Sequence, residues 1–189
     1  MSDYISRAVL ISIRPEWAKK ILDGEKTLEV RKNRPNLETP FKCYIYCTNS
    51  GVAMGMWGKH GKVVGEFLCD KITRLTHVGF SGMSGIRIAA MKDGYTTDDF
   101  FDFSKSLLTT QQIEKYLDGK DGYIWHISNL KIYDTPKELN EFYNWKKYKS
   151  CSKSEYESTA CIQDENCMVP AAITKAPQSW RYVEEMECE

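Results

Sequence analysis

The 189-residue sequence predicts an α+β protein built on a largely antiparallel sheet. Two observations carry that expectation. Short alternating or apolar runs recur at Arg7–Ile13, Phe41–Thr48, Lys62–Thr73 and Gly122–Tyr133, and only two or three helical patterns lie between them, out of strict alternation. A third observation concerns edges. So many short strands would expose unpaired backbone unless the sheet curved toward a small barrel.

RAVLISI, from Arg7, reads as a buried strand, and Pro15 then stands where a helix begins, with Ser12 or Arg14 as its cap. Trp17, Ala18, Ile21 and Leu22 form a helical stripe that Gly24 ends. The next stretch, GEKTLEVRK, alternates. In a strand from Lys26 to Lys32, Thr27, Glu29 and Arg31 project from one face, and Leu28 and Val30 from the other. The polar row suits either a solvated sheet face or the floor of a ligand pocket, with Lys a point charge and Arg a planar two-pronged donor.

Asn33–Pro40 is a loop by composition, and FKCYIYCT the next strand. Ser50–Gly61, with glycines, two methionines and Trp57, reads as a loop able to border a site. KVVGEFLCDKIT is a long strand in which Gly65 marks a bulge. Thr76–Met91 lacks period, and Asp93–Lys120 is helical in flavour, with Thr109 or Thr110 as cap and Gly119 as stop. GYIWHISNLKIY is the strongest strand signal, and PKELNEFY after it reads as a short helix. Residues 149–175 form a polar, cysteine-bearing insertion in a single domain spanning 1–189, and APQSWRYV is the last ordered-looking stretch.

Lys plus Arg and Asp plus Glu each number 26, and a net charge of zero argues against binding of nucleic acid mainly through bulk positive charge, so such a role would rest on a local patch. Charge is uneven, however. Met1–Pro35 holds eight bases against five acids, whereas Glu155–Glu189 holds eight acids against two bases, so the amino end is the anion-binding half. No apolar run approaches the ~20 residues that span a bilayer. The first residues do not resemble a signal peptide, and seven cysteines, an odd number, fit a reducing, cytoplasmic setting.

ISIRPEWAKKILDGEKTLEVRK, FKCYIYCT, KVVGEFLCD, GYIWHISNLKIYDTPKEL and APQSWRYV, in that order, resemble the ASCH domain of the PUA-like superfamily, in its prophage and mobile-element form. The resemblance implies a small β-barrel of five or six mostly antiparallel strands with flanking helices, and a cleft for RNA or a nucleotide-like ligand. It places Lys26, Thr27, Glu29 and Arg31 along that cleft, with Gln178, Ser179, Arg181 and Tyr182 of the last segment nearby. Some small relatives hydrolyse N4-acetylcytidine with a lysine, a threonine and a glutamate. Lys26 matches that lysine, Thr27 follows it, and Glu29 stands where the hydroxyl is needed, so Lys26, Thr27 and Glu29 are the catalytic candidates for an amidohydrolase or ribonuclease.

For RNA, exposed rings stack bases beside a basic groove. Trp57, Trp17, Trp180 and Tyr182 are the rings, and Lys19, Lys20, Lys32 and Arg34 the phosphate contacts, while Trp17 and Trp125 also suit a core. Three readings stand: a binding module, a hydrolase of a modified nucleoside or RNA, and a phage-encoded protein-interaction factor. No cofactor is expected. Cys151, Cys161 and Cys167, with nine and five residues between them, lack the short paired spacing of common zinc sites but remain candidates for a structural zinc, with Cys188 a possible fourth ligand.

Overall fold

The computed structural model describes residues 6–51, 53–79, 86–92, 95–96, 102–147 and 168–185. Its strands are β1 (Ser6–Ile13), β2 (Leu28–Arg31), β3 (Phe41–Cys47), β4 (Val63–Gly79), β5 (Ile86–Lys92), β6 (Tyr95–Thr96), β7 (Gly122–Lys137), β8 (Tyr143–Lys147), β9 (Met168–Ala172) and β10 (Trp180–Glu185). The helices are α1 (Pro15–Leu22) and α2 (Thr110–Leu117). Eight strands follow one path, β2-β7-β4-β3-β1-β10-β8-β9, and β5 and β6 extend from β4.

Every pairing is antiparallel except β1 with β3, which α1 and β2 connect in sequence. Among the described residues the strands thus form an open mixed sheet, and closure into the expected barrel of five or six strands is not seen. Among the described residues no pairing joins β2 to β9, the two ends of the path.

Alternation along the strands sorts side chains into three cores. Val9, Ile11 and Ile13 of β1, Cys43 and Ile45 of β3, Phe67 and Cys69 of β4 and Trp125 of β7 pack together with Ala18 and Ile21 of α1. Fully burying an aliphatic side chain stabilises by about 1.5–3 kcal/mol, so the stripe on α1 is what seats that helix. Ala8, Leu10, Val63, Phe142, Ile173 and Val183 form a second core on the opposite face of β1 and β10. Leu28, Val30, Leu75, Ile113, Leu117 and Ile124 form a third, between β2, β4, β7 and α2.

The structure departs from the sequence expectations at several elements. Thr76–Met91 carries the end of β4 and most of β5, paired from Arg74 opposite Met91 to Gly79 opposite Ile86. Among the described residues of the expected helix over Asp93–Lys120 are the strand β6, a 3-10 turn at Ser104–Ser106 and α2, which opens on a capping box between Thr109 and Gln112. PKELNEFY is not a helix: β7 runs through Pro136 to Lys137, and a 3-10 turn at Leu139–Glu141 leads into β8. Gly65 does mark a register shift, and β7 approaches it so closely that a Cβ there would lie 2.6 Å from the Lys131 carbonyl oxygen. No helix among the described residues is long and apolar enough to cross a membrane.

Candidate functional site

β2 holds the site because both of its faces are buried. Leu28 and Val30 enter the third core, and Glu29 and Arg31, each 7% exposed, point the other way. Lys26 precedes the strand in the turn after Gly24, whose φ of 75° suits glycine. The Lys26 backbone N–H donates to Lys20 O of α1 at 3.0 Å, so the end of the helix fixes where the lysine starts.

Lys26 is 2% exposed. Its Nζ donates to the carbonyl oxygens of Leu28 at 2.6 Å and Ser106 at 2.7 Å and lies 3.3 Å from Glu29 Oε2, which uses all three of its protons. The Trp17 ring covers the ammonium, 5.4 Å from its centroid. Glu29 Oε1 in turn meets the Arg31 guanidinium at 3.0 Å. Arg31 donates to Ser12 O at 2.8 Å and to Ser179 Oγ at 3.4 Å. Ser12 completes the arrangement: its hydroxyl donates to Pro177 O at 2.6 Å, and its N–H to Ser179 O at 2.9 Å.

The result is a buried row of ammonium, carboxylate and guanidinium that joins β2 to β1 and to the segment before β10. Burial pushes the Lys26 pKa below its ordinary 10.5; the Glu29 carboxylate opposes that shift and the Arg31 cation adds to it. Desolvating such a cluster costs several kcal/mol per ion, so its presence is poor evidence for stability and better evidence for a task.

Not all the sequence candidates converge here. Lys26, Glu29, Arg31 and Ser179 do, and Trp180 and Tyr182 flank them on the first core, their rings 5.4 Å apart. Arg181 does not: alternation along β10 places it on the face of Val183, in the second core, and its buried Nε has no acceptor among the described residues. Thr27 is half-buried, and its backbone is tied to Lys105 and Ile127.

Tyr182 accepts from the Asn36 N–H at 2.8 Å and lies under the Arg7 guanidinium. Trp57 is 83% exposed, in a loop whose Met56 is anchored in the first core and whose Gly55 lies against the Lys19 side chain. Lys19 pairs with Asp23, and Lys20 with Glu25. Lys32 lies over the Tyr116 ring at 5.3 Å, and Arg34 donates to Pro35 O and Leu37 O. Cys151, Cys161, Cys167 and Cys188 lie outside the described residues, among which no group of three His, Cys, Asp or Glu side chains is placed to hold a metal.

Three participants escaped the sequence reading. Ser106 is 80 positions from Lys26 and contributes a carbonyl, which no side-chain pattern announces. Ser12 was a cap candidate, but the cap position is Arg14 and the serine binds Pro177 instead. Trp125 was a core candidate; it is one, and it also sits opposite Glu29 in the β2 to β7 register.

Comparison with known proteins gives a match over part of the chain. Residues 11–79 match the model of the ASCH domain, a span that runs from Ile11 of β1 through α1, β2 and β3 to the end of β4 and contains Lys26, Glu29 and Arg31. The structure is similar to that of ASCH from Zymomonas mobilis, with 19% identity and a TM-score of 0.49 over 71% of this chain and 75% of that one. A tyrosine-to-phenylalanine variant of that protein matches with 19% identity and a TM-score of 0.48, over 71% of this chain and 77% of the other. No curated protein matches the sequence.

Proposed function

We propose that the chain binds RNA or a nucleotide-like ligand at the face of β2 that carries Glu29 and Arg31, with Lys26 at its entry and the segment from Ser179 to Tyr182 as the opposing wall. The observation that carries this reading is the buried row itself: Lys26 and Arg31 each within hydrogen-bonding distance of Glu29, beside Trp17, in the stretch that matches the ASCH domain. Trp57, exposed on a loop against α1, is a stacking ring for a longer strand, and Lys32 and Arg34 follow β2 as phosphate contacts. Titration of the protein with a single-stranded RNA and with mononucleotides tests it. Binding that weakens at least tenfold in Arg31→Gln and survives in Arg181→Gln is expected; equal affinity in all three proteins rejects the site.

A second reading is favoured by one observation, the burial that lowers the Lys26 pKa. A lysine that gives up its proton more readily suits amide hydrolysis, in which water is added across the acetyl amide of N4-acetylcytidine to release acetate and cytidine. Glu29 opposes this by holding the ammonium charged, which ranks it second. Incubating the protein with N4-acetylcytidine decides the matter: acetate released by the parent and not by Lys26→Met supports turnover, and no acetate leaves binding alone.

A further inference from the structure

Two buried N–H donors on the inner face of β2 and β7 find no acceptor among the described residues: Nε1 of Trp125, 0% exposed, and Nε of Arg31, 7% exposed. They belong to one place. The antiparallel register sets Glu29 opposite Trp125 and Arg31 opposite Tyr123, so Glu29, Arg31 and Trp125 share a face. The Trp125 ring is 6.0 Å from that of Trp180; Trp180 follows Ser179, whose hydroxyl is 3.4 Å from Arg31; and Arg31 returns to Glu29 at 3.0 Å. Three contacts, one strand register and one chain adjacency thus link these side chains into a circuit.

A buried donor left without an acceptor is costly and uncommon, and two of them in one circuit mark a place for an acceptor atom. Lys26 and Arg31 outnumber Glu29, which favours an oxygen of partial negative charge. A free anion would meet the Glu29 carboxylate on the same face, whereas a neutral carbonyl would not. That carboxylate also keeps lone pairs beyond those used by Lys26 and Arg31, enough to accept one more N–H. Trp180 supplies an apolar wall for a flat ring.

We propose that this circuit reads the edge of a nucleobase in which a ring carbonyl adjoins a ring N–H, as in uracil and guanine. Arg31 Nε and Trp125 Nε1 donate to the carbonyl oxygen, and Glu29 accepts from the ring N–H. Adenine, with no carbonyl, and cytosine, whose carbonyl adjoins an acceptor nitrogen, lack that pair. The long Arg31 to Ser179 contact is the weakest link of the circuit and the side from which the base enters. The proposal rests on the reading of the chain as a nucleotide-binding protein and adds which bases it selects.

The test is a titration of isotope-labelled protein with uridine, guanosine, adenosine and cytidine monophosphates and with inorganic phosphate. It follows the Trp125 indole N–H resonance, assigned by its loss in Trp125→Phe. Uridine and guanosine monophosphates are expected to move that resonance and to bind about tenfold more tightly than the other two, the equivalent of ~1.4 kcal/mol. Trp125→Phe and Arg31→Lys, which keeps the charge and loses the Nε donor, are expected to erase the preference; two variants guard against one that fails to fold. Equal affinity for adenosine monophosphate, or a shift with phosphate alone, overturns the proposal. An RNA titration run alongside separates the two levels: RNA bound with the indole resonance unmoved rejects the base reading only, and no RNA or nucleotide bound rejects the binding function as well.

Discussion

Lys26 shows how much a single side chain can be asked to carry. With all three of its protons used by Leu28 O, Ser106 O and Glu29, replacing it leaves two carbonyls and a carboxylate short of a partner. Lys26→Met should destabilise the protein by about 3–5 kcal/mol, as for other broken buried pairs. In urea unfolding, the double replacement Lys26→Met with Glu29→Gln should cost clearly less than the sum of the single ones. Additive costs would mean that the two groups do not act as a unit.

His126 offers a pH signature at the same scale. Its ring lies 2.9 Å from the Thr73 hydroxyl, and burial, followed by the Lys71 cation, pushes its pKa below 6.5 against a smaller opposing effect of Asp70. Between that lowered value and 6.5 the unfolded chain takes up a proton that the folded chain refuses, so this contribution to stability is full above 6.5 and is lost as the pH falls through the interval. Stability measured from pH 5 to 7.5 should therefore fall less steeply toward acid in His126→Gln than in the parent.

At the scale of elements, β2 was the most legible. Its two-residue period separated Leu28 and Val30 from Glu29 and Arg31, and the structure keeps that division. What alternation alone could not convey is that the polar face is also buried, because that depends on Ser12, Ser106 and Ser179, which lie in three distant segments. α1 was legible from its stripe, its proline and its glycine. The run from Asp93 was not: Tyr95 and Thr96 pair with β5 as a short strand, and among its described residues only Thr110–Leu117, with a capping box and apolar residues for the third core, becomes an α-helix.

The paired strands also account for the three cysteines among the described residues. Cys43, Cys47 and Cys69 are fully buried and free, and burial pushes their thiols up, to about 11 at Cys47 and about 12 at Cys69. Such thiols are poor nucleophiles. Mass spectrometry after alkylation at pH 8 should find these three modified only once denaturant is added; modification in the native protein would contradict their place in the core.

For the whole molecule, the formal charge of zero and the local pairing of Lys19 and Lys20 limit how far electrostatics drives binding. RNA affinity should fall with added salt, with a shallow slope set by the few cations that follow β2, each phosphate contact on a single strand contributing about −0.7 to the logarithmic slope. A slope equivalent to many contacts would point to a different, more basic surface. The positions of the main strands along the chain were readable in the sequence, whereas the molecule is mostly β with two α-helices among the described residues rather than evenly α+β. Closure was not, because whether a sheet joins its own ends is decided by pairings between segments far apart, and here β1 pairs parallel with β3 and β10 continues the sheet to β8 and β9.

The central claim is that the buried row on β2 exists to hold a ligand. The most direct measurement is the affinity for a single-stranded RNA of the parent, of Arg31→Gln and of Ser179→Ala, each checked for folding by circular dichroism. The account predicts a loss of at least tenfold for Arg31→Gln and a smaller loss for Ser179→Ala, whose contact is the longer one at 3.4 Å. Three folded proteins with the same affinity would contradict it, and the row would then be an element of architecture alone.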